Sequence, residues 1–393
     1  MKTQIQYFTI AIFFLIVILL SVCAVADQSV KVPEDRASAR DLGIRIGIYQ
    51  PGQNNAITDV EGVKVGHVTL NIGDHVRTGV TAIIPRDDVW LNRAFGAAYA
   101  INGNGEATGL AWVNEAGWIE SPIMLTNTLS VGAVHDGVVR YMIKRYPQSH
   151  IILPIVTECY DGGLNDISGL HVTAEHAIKA IENADDGPVS QGCVGAGTGM
   201  RSYGFKAGIG TASRVLGADD GGYTVGVLVN ANGGRRYQLR IDGVPVGKEI
   251  TELTPERHRA GSFIVVIATD APLVHRQLLQ LAKRATHALA RTGTPSTVSS
   301  GEFVIAFSTT NTVLISSDTN TLSIKMLRNN RMDAVYQAVI EATEEALINA
   351  MTTAITTVGK NGNIVHAIPL DRLRAVMEKY YQYKHNGEMP TPN

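Results

Sequence analysis

An unbroken apolar run, Phe263-Ile264-Val265-Val266-Ile267-Ala268, constrains this chain more than any other feature. It sits between Gly261-Ser262 and Thr269, has the length of a strand and is rich in β-branched residues, so it reads as a strand buried on both faces. Such a strand needs apolar structure above and below it. Further strands are expected at Val63-Lys64-Val65-Gly66-His67-Val68, at Gly79-Val80-Thr81-Ala82-Ile83-Ile84, within Ile151 to Val156, from Tyr223 to Val229 and from Glu302 to Thr309. Val131, Val134, Val138 and Met142 recur at three- and four-residue steps and predict an amphipathic helix ended by Pro147. Helices are also expected from Ala174 to Ala184, around Leu278, Leu281, Ala285 and Leu289, and through Val335, Val339, Ala342, Ala346 and Ala350. Strands and helices do not alternate regularly, so an α+β layered sandwich fits better than a doubly wound parallel sheet. Residues 27–42 read as a mobile polar arm, 192–210 as a glycine-rich stretch, and Asn232 to Arg259 as a long exposed loop within one domain.

Composition narrows the function. A formal net charge of −2 removes the electrostatic ground for nucleic-acid binding, which requires a basic face. With 45% hydrophobic and 18% charged residues the chain is that of a folded protein. Three cysteines are too few for a disulfide-stapled scaffold. At the N-terminus, Lys2 precedes an apolar run from Phe8 to Val22, and Ala24-Val25-Ala26 has the small residues of a signal-peptidase site. The reading is a signal peptide over 1–26, with export to the periplasm or outside the cell; an uncleaved anchor is the alternative. Export permits a pairing of Cys159 with Cys193 without requiring it.

Few local motifs carry chemistry. The run Gly192-Cys193-Val194-Gly195-Ala196-Gly197-Thr198-Gly199 has neither a Gly-Lys-Ser/Thr ending nor dinucleotide-loop spacing, so it reads as a tight structural loop. The histidines are scattered and no paired-cysteine spacing exists, so neither a metal nor another cofactor is implied. No G-x-S-x-G elbow occurs, and burial is the commoner fate of a cysteine such as Cys159. Gly261-Ser262, where a polar segment meets the apolar strand, reads on its own as loop punctuation.

Ordered fragments across Gly43 to Tyr383 change that weight. They are Gly62-Val63-Lys64-Val65-Gly66-His67, Gly103-Asn104-Gly105-Glu106, Leu125-Thr126-Asn127-Thr128, Glu158-Cys159-Tyr160-Asp161-Gly162-Gly163, Val229-Asn230-Ala231-Asn232, Gly261-Ser262-Phe263 and Ser300-Gly301-Glu302. In this order they resemble the DmpA/β-aminopeptidase group, or L-aminopeptidase/D-esterases, of the P1 family of self-processing serine hydrolases. The resemblance implies an αββα sandwich, shared with ornithine acetyltransferases, and a cut at Gly261–Ser262. The cut would give an α chain 27–261 and a β chain 262–393 that assemble into a homo-oligomer, commonly a tetramer of αβ units. It makes Ser262 the nucleophile, with Ser300 and Glu302 as a relay, Asn230 and Tyr160 at the oxyanion and Glu158 holding the substrate's free amine. The implied substrates are β-aminoacyl peptides, L-aminoacyl amides or D-alanine esters and amides, without a cofactor. Alternation along the strand that starts near Ser300 places Ser300 and Glu302 on one face. Asn127, Asp161 and Gly103 to Glu106 receive no role beyond structural turns. Two alternatives stay open: an N-terminal-nucleophile acyltransferase of the same wider fold, and an unprocessed, non-catalytic exported binding protein.

Overall fold

A computed structural model describes residues 36–255, 261–316 and 319–386, with side chains up to residue 382. The expected signal segment over 1–26 lies outside the described residues. In chain order the strands are β1 (Lys64–Ile72), β2 (Val76–Ile84), β3 (Asn92–Gly103), β4 (Trp118–Ile119), β5 (Ile123–Asn127) and β6 (Ile155–Cys159). They continue with β7 (Arg201–Ser202), β8 (Phe205–Lys206), β9 (Ile209–Val215), β10 (Thr224–Asn232), β11 (Ser262–Thr269) and β12 (Gly301–Leu314).

Two sheets carry the fold, a four-stranded one in the order β1-β2-β5-β6 and a six-stranded one in the order β4-β3-β12-β11-β10-β9. β11 is buried along its whole length, as its sequence requires. It runs antiparallel to β10 and parallel to β12. Val265 and Ile267 share a core with Leu278, Leu281, Val339 and Ala346, from the helices His275–Thr292 and Asp333–Thr352. The four-stranded sheet is covered in the same way by Val131–Arg145 and Ala174–Glu182, whose Val134, Val138, Ala177 and Ile181 pack with Val80, Ala82 and Met124. β6 of one sheet faces β11 of the other. The layers are therefore helix, sheet, sheet, helix, which is the expected αββα sandwich.

Two segments differ from expectation. The 27–42 arm is docked from Arg36 onward: Arg36 donates to the Ile368 carbonyl at 3.0 Å, the Ala39 amide to Asn349 Oδ1 at 2.8 Å, and Arg40 pairs with Glu345 at 3.0 Å. Sequence polarity there reflects partners, not solvent. The supposed exposed loop after Asn232 buries Leu239, Ile241, Val244, Val246 and Ile250 in the main core. Its Arg236 reaches the carbonyls of Tyr203, Gly204, Ile250 and Glu252, while its side chain lies over the Phe205 ring at 3.3 Å. A buried guanidinium satisfied by carbonyls and stacked on an aromatic ring tolerates desolvation better than its composition suggests.

The sheet is tied to its covering helix by a buried ion cluster. Arg214 on β9 contacts Glu341 at 3.2 Å and Glu345 at 2.7 Å, all three side chains fully buried. Cys159 and Cys193 are both free thiols.

Candidate active site

The site forms where four strands of the large sheet end together. β10 and β3 finish there, at Asn232 and Gly103, and β11 and β12 begin there, at Ser262 and Gly301. Ser262 is aligned with Asn232 on one side and Gly301 on the other, and is buried at 5% exposure. Gly261, just ahead of it, is glycine for lack of room. A Cβ there would fall 1.6 Å from the Asn232 carbonyl oxygen and 2.4 Å from Gly233 Cα, both backbone atoms that cannot step aside. The junction before Ser262 is therefore clamped against the end of β10.

Ser300 and Glu302 meet, as strand alternation permits. Ser300 Oγ donates to Glu302 Oε1 at 2.9 Å, and Glu302 is fully buried with its second oxygen unpaired among the described residues. Asn102 Nδ2 holds the turn ahead of β12 by donating to the carbonyls of Ser300, Thr297 and Val298. Glu302 has the strand phase of Val304 and Ala306, which pack on the helices, whereas Ser262 has the phase of its partner Asn232. The serine and the pair are presented by adjacent strand ends on opposite pleats. Among the described residues no hydrogen bond joins Ser262 to either.

Asn230 lies two residues before Asn232 on the same face and is fully buried. Its Nδ2 is 3.5 Å from the Ala196 carbonyl and its Oδ1 has no partner among the described residues. Tyr160 follows β6, and its carbonyl accepts from Asn232 Nδ2 at 2.9 Å. Glu158, at the end of β6, accepts from Thr128 Oγ1 and from the Glu106 amide at 3.2 Å. Burial pushes its carboxyl above the usual range, with the Thr128 and Glu106 bonds opposing that shift. A carboxylate held in this state gains from an arriving cation.

The motif positions left without a role build the scaffold under these groups. Asn127 accepts from the Leu129 amide at 3.1 Å and donates to Thr78 Oγ1 at 2.8 Å. Asp161 accepts from Asn165 Nδ2 at 3.0 Å, and burial pushes its carboxyl up to about 7. The glycine run turns at Gly195–Gly197 with the Gly195 and Ala196 amides bound to Thr69 Oγ1 (2.9 Å) and Thr81 Oγ1 (3.1 Å). Those amides are committed to the protein's own side chains, so the run is the structural loop its spacing suggested.

Beside Gly261 lies a recess with Tyr160, Arg201, Asn232 and Pro255 among its walls. Asn232 connects this wall. Besides its bond to Tyr160, its Oδ1 accepts the Arg201 amide at 3.1 Å. Asn232 and Thr128 stand within the quoted fragments without a role of their own, and Arg201 lies outside them. The first had a legible signal, since Asn230-Ala231-Asn232 puts both asparagines on one face of a strand. Arg201 had none.

Residues 55–365 match Peptidase family S58. The chain is 43% identical over 365 residues to the β-peptidyl aminopeptidase BapA of Sphingosinicella microcystinivorans, covering 87% of this chain and 92% of that one. Its fold superposes with a TM-score of 0.83 on a Burkholderia sp. β-aminopeptidase, at 44% identity, 90% coverage of this chain and 100% of that one. It superposes with the same score, 0.83, on the L-aminopeptidase D-Ala-esterase/amidase of Ochrobactrum anthropi, at 41% identity and coverages of 88% and 99%; that structure is described as a variant among the Ntn hydrolase folds. A match over most of the chain, in sequence and in three dimensions, has one reading: this chain belongs to Peptidase family S58, and it is an aminopeptidase.

Proposed function

We propose that the protein cuts itself between Gly261 and Ser262 and then uses the new N-terminal serine to remove β-aminoacyl residues from the amino end of short peptides. The clamped Gly261–Ser262 junction, at the mouth of the central strand and one strand from the Ser300–Glu302 pair, is the observation that carries the reading. In the continuous chain the Ser262 nitrogen is an amide, with no basic lone pair to accept a proton. Attack of Ser262 Oγ on the Gly261 carbonyl carbon moves the acyl group from nitrogen to oxygen. Water then hydrolyses the ester, leaving a Gly261 carboxylate and a Ser262 amine.

That amine, with a reference pKa of ~7.7–8.0, is partly neutral at physiological pH. It takes the Ser262 hydroxyl proton as Oγ attacks the substrate carbonyl and returns it to the departing amine. Release from Gly261 also frees Ser262 to turn toward Ser300, whose bond to Glu302 fixes the direction of its lone pairs. Asn230 Nδ2 donates to the oxyanion, helped by Tyr160. Glu158 binds the substrate ammonium, which explains removal from the N-terminus rather than internal cleavage. The β-aminoacyl preference rests on the relatives' names, and the L-aminoacyl and D-alanyl classes are the competing outcomes.

Export belongs to the same proposal, on the strength of Lys2, the apolar run and Ala24-Val25-Ala26. One preparation tests both. A denaturing gel should show two fragments, the smaller starting at Ser262 and the larger at Asp27, and Ser262→Ala should stay whole and inactive. Normal splitting of that variant would end the assignment of Ser262. A β-alanyl amide assayed beside its L-alanyl and D-alanyl counterparts ranks the substrate classes.

A further inference from the structure

Resting on the proposed aminopeptidase site, we infer that Thr128 is a positioning residue whose hydroxyl aims the Glu158 carboxylate at the ammonium group of the incoming substrate.

Glu158 is buried, and both of its oxygens are held. Thr128 Oγ1 donates to Oε2, and the Glu106 amide donates to Oε1 at 3.2 Å. The two donors come from different parts of the chain, one just past β5 and the other from the segment after β3. Strand pairing delivers the first. β5 and β6 run parallel with Thr126 beside Glu158, and β5 ends at Asn127, whose side chain accepts from the Leu129 amide at 3.1 Å and donates to Thr78 Oγ1 at 2.8 Å. That cap starts the turn Thr128–Ser130 over the end of β6, which brings the Thr128 hydroxyl to the carboxylate. Gly105 lies against the same group. A Cβ there would fall 2.7 Å from Glu158 Oε1 and 3.5 Å from the Cα of Gly301, the β12 partner of Ser262. The carboxylate is thus fixed near the strand position beside the nucleophile.

The charges around Glu158 leave a cation to be supplied. Burial raises its carboxyl above the ordinary value, the Thr128 and Glu106 bonds oppose that rise, and the nearby charge of Glu106 adds to it. Asp161 interacts with Glu158 as a second acid, and burial keeps the Cys159 thiol neutral. No lysine, arginine or histidine is among the groups acting on Glu158. The Thr128 hydroxyl therefore favours the charged carboxylate as well as orienting it. A carboxylate accepts at about four lone-pair positions, so the two protein donors leave others for an ammonium with three N–H groups.

The test uses the processed enzyme and two probes. β-Alanyl amide reports turnover, and 3-aminopropan-1-ol, a competitive inhibitor with an ammonium but no carbonyl for Ser262 to attack, reports amine binding alone. Thr128→Val, which keeps the shape and drops the hydroxyl, should raise KM for the amide by about ten- to a hundredfold with kcat held within about twofold, the range of one hydrogen bond to a charged group. Inhibition by the amino alcohol should strengthen with pH as Glu158 ionises, with a midpoint above the ordinary 4.5 in the wild type and higher still in Thr128→Val. Thr128→Ser should restore both KM and midpoint. A midpoint that stays in place, a serine variant as weak as the valine one, or a loss confined to kcat overturns the inference. Should Thr128→Val not fold, judged by circular dichroism, Thr128→Ala takes its place in the same comparison. Glu158→Gln separates this role from the reading beneath it. Undiminished inhibition in that variant, or wild-type inhibition indifferent to pH, overturns Glu158 as the amine site and Thr128 with it, whereas loss in Glu158→Gln alone overturns only the role of Thr128.

Discussion

Asp161 shows what burial does to a single residue of this site. Its carboxyl is pushed up to about 7 by desolvation, against the opposing bonds from Thr78 and Asn165. The folded protein therefore holds a proton there that the unfolded chain has lost above a pKa of ~3.9. The stability linked to that proton is fully present below the unfolded value and is lost as pH rises through about 7. Asp161→Asn, which keeps an acceptor for Asn165 but cannot ionise, should gain in Tm relative to the wild type as pH goes from about 5 to about 8. Other raised acids, such as Glu344, occur in both proteins and cancel in the difference. Parallel Tm curves would refute the assignment. Single residues were also where the sequence spoke least evenly. Alternation permitted the Ser300–Glu302 contact that the family resemblance implied, whereas the need for glycine at 261 arises from the Asn232 carbonyl, twenty-nine positions upstream, and no local pattern announces it.

At the scale of elements, legibility followed apolar contrast. β11 and the helix His275–Thr292 declared themselves because burial on two faces or on one stripe leaves a plain periodicity. β3 did not, because Asn-Arg-Ala-Phe-Gly-Ala-Ala-Tyr-Ala-Ile-Asn-Gly is short of branched residues; its strand form comes from pairing with β12, a tertiary cause. The segment after Asn232 misled in the opposite sense, since its charges find buried partners that composition cannot reveal. The Arg214 cluster is the same phenomenon between β9 and the helix Asp333–Thr352. Replacing Arg214 with alanine strands Glu341 and Glu345 without their cation in the core. It should lower stability by about 3–5 kcal/mol in denaturant titration. A loss under about 1 kcal/mol would mean that the cluster is not the tie between sheet and helix described above.

For the whole molecule, β11 lies in the interior of the six-stranded sheet, with β10 from the segment before the proposed cut on one edge and β12 from the segment after it on the other. Scission should thus leave two chains that stay together without denaturant. Size-exclusion chromatography with light scattering should return them in one peak, at a mass that also reports any assembly of αβ units. Fragments that separate under native conditions would contradict the sheet order. The same position governs how the protein must be made. Expressed alone, residues 262–393 would show the world two apolar strands whose outer edges have lost β10 and β3, a template for uncontrolled stacking with other copies. The peptide bond at 261–262 thus does its first service during biosynthesis, as the tether that makes each half the chaperone of the other, and halves produced apart and then mixed should yield precipitate in place of enzyme.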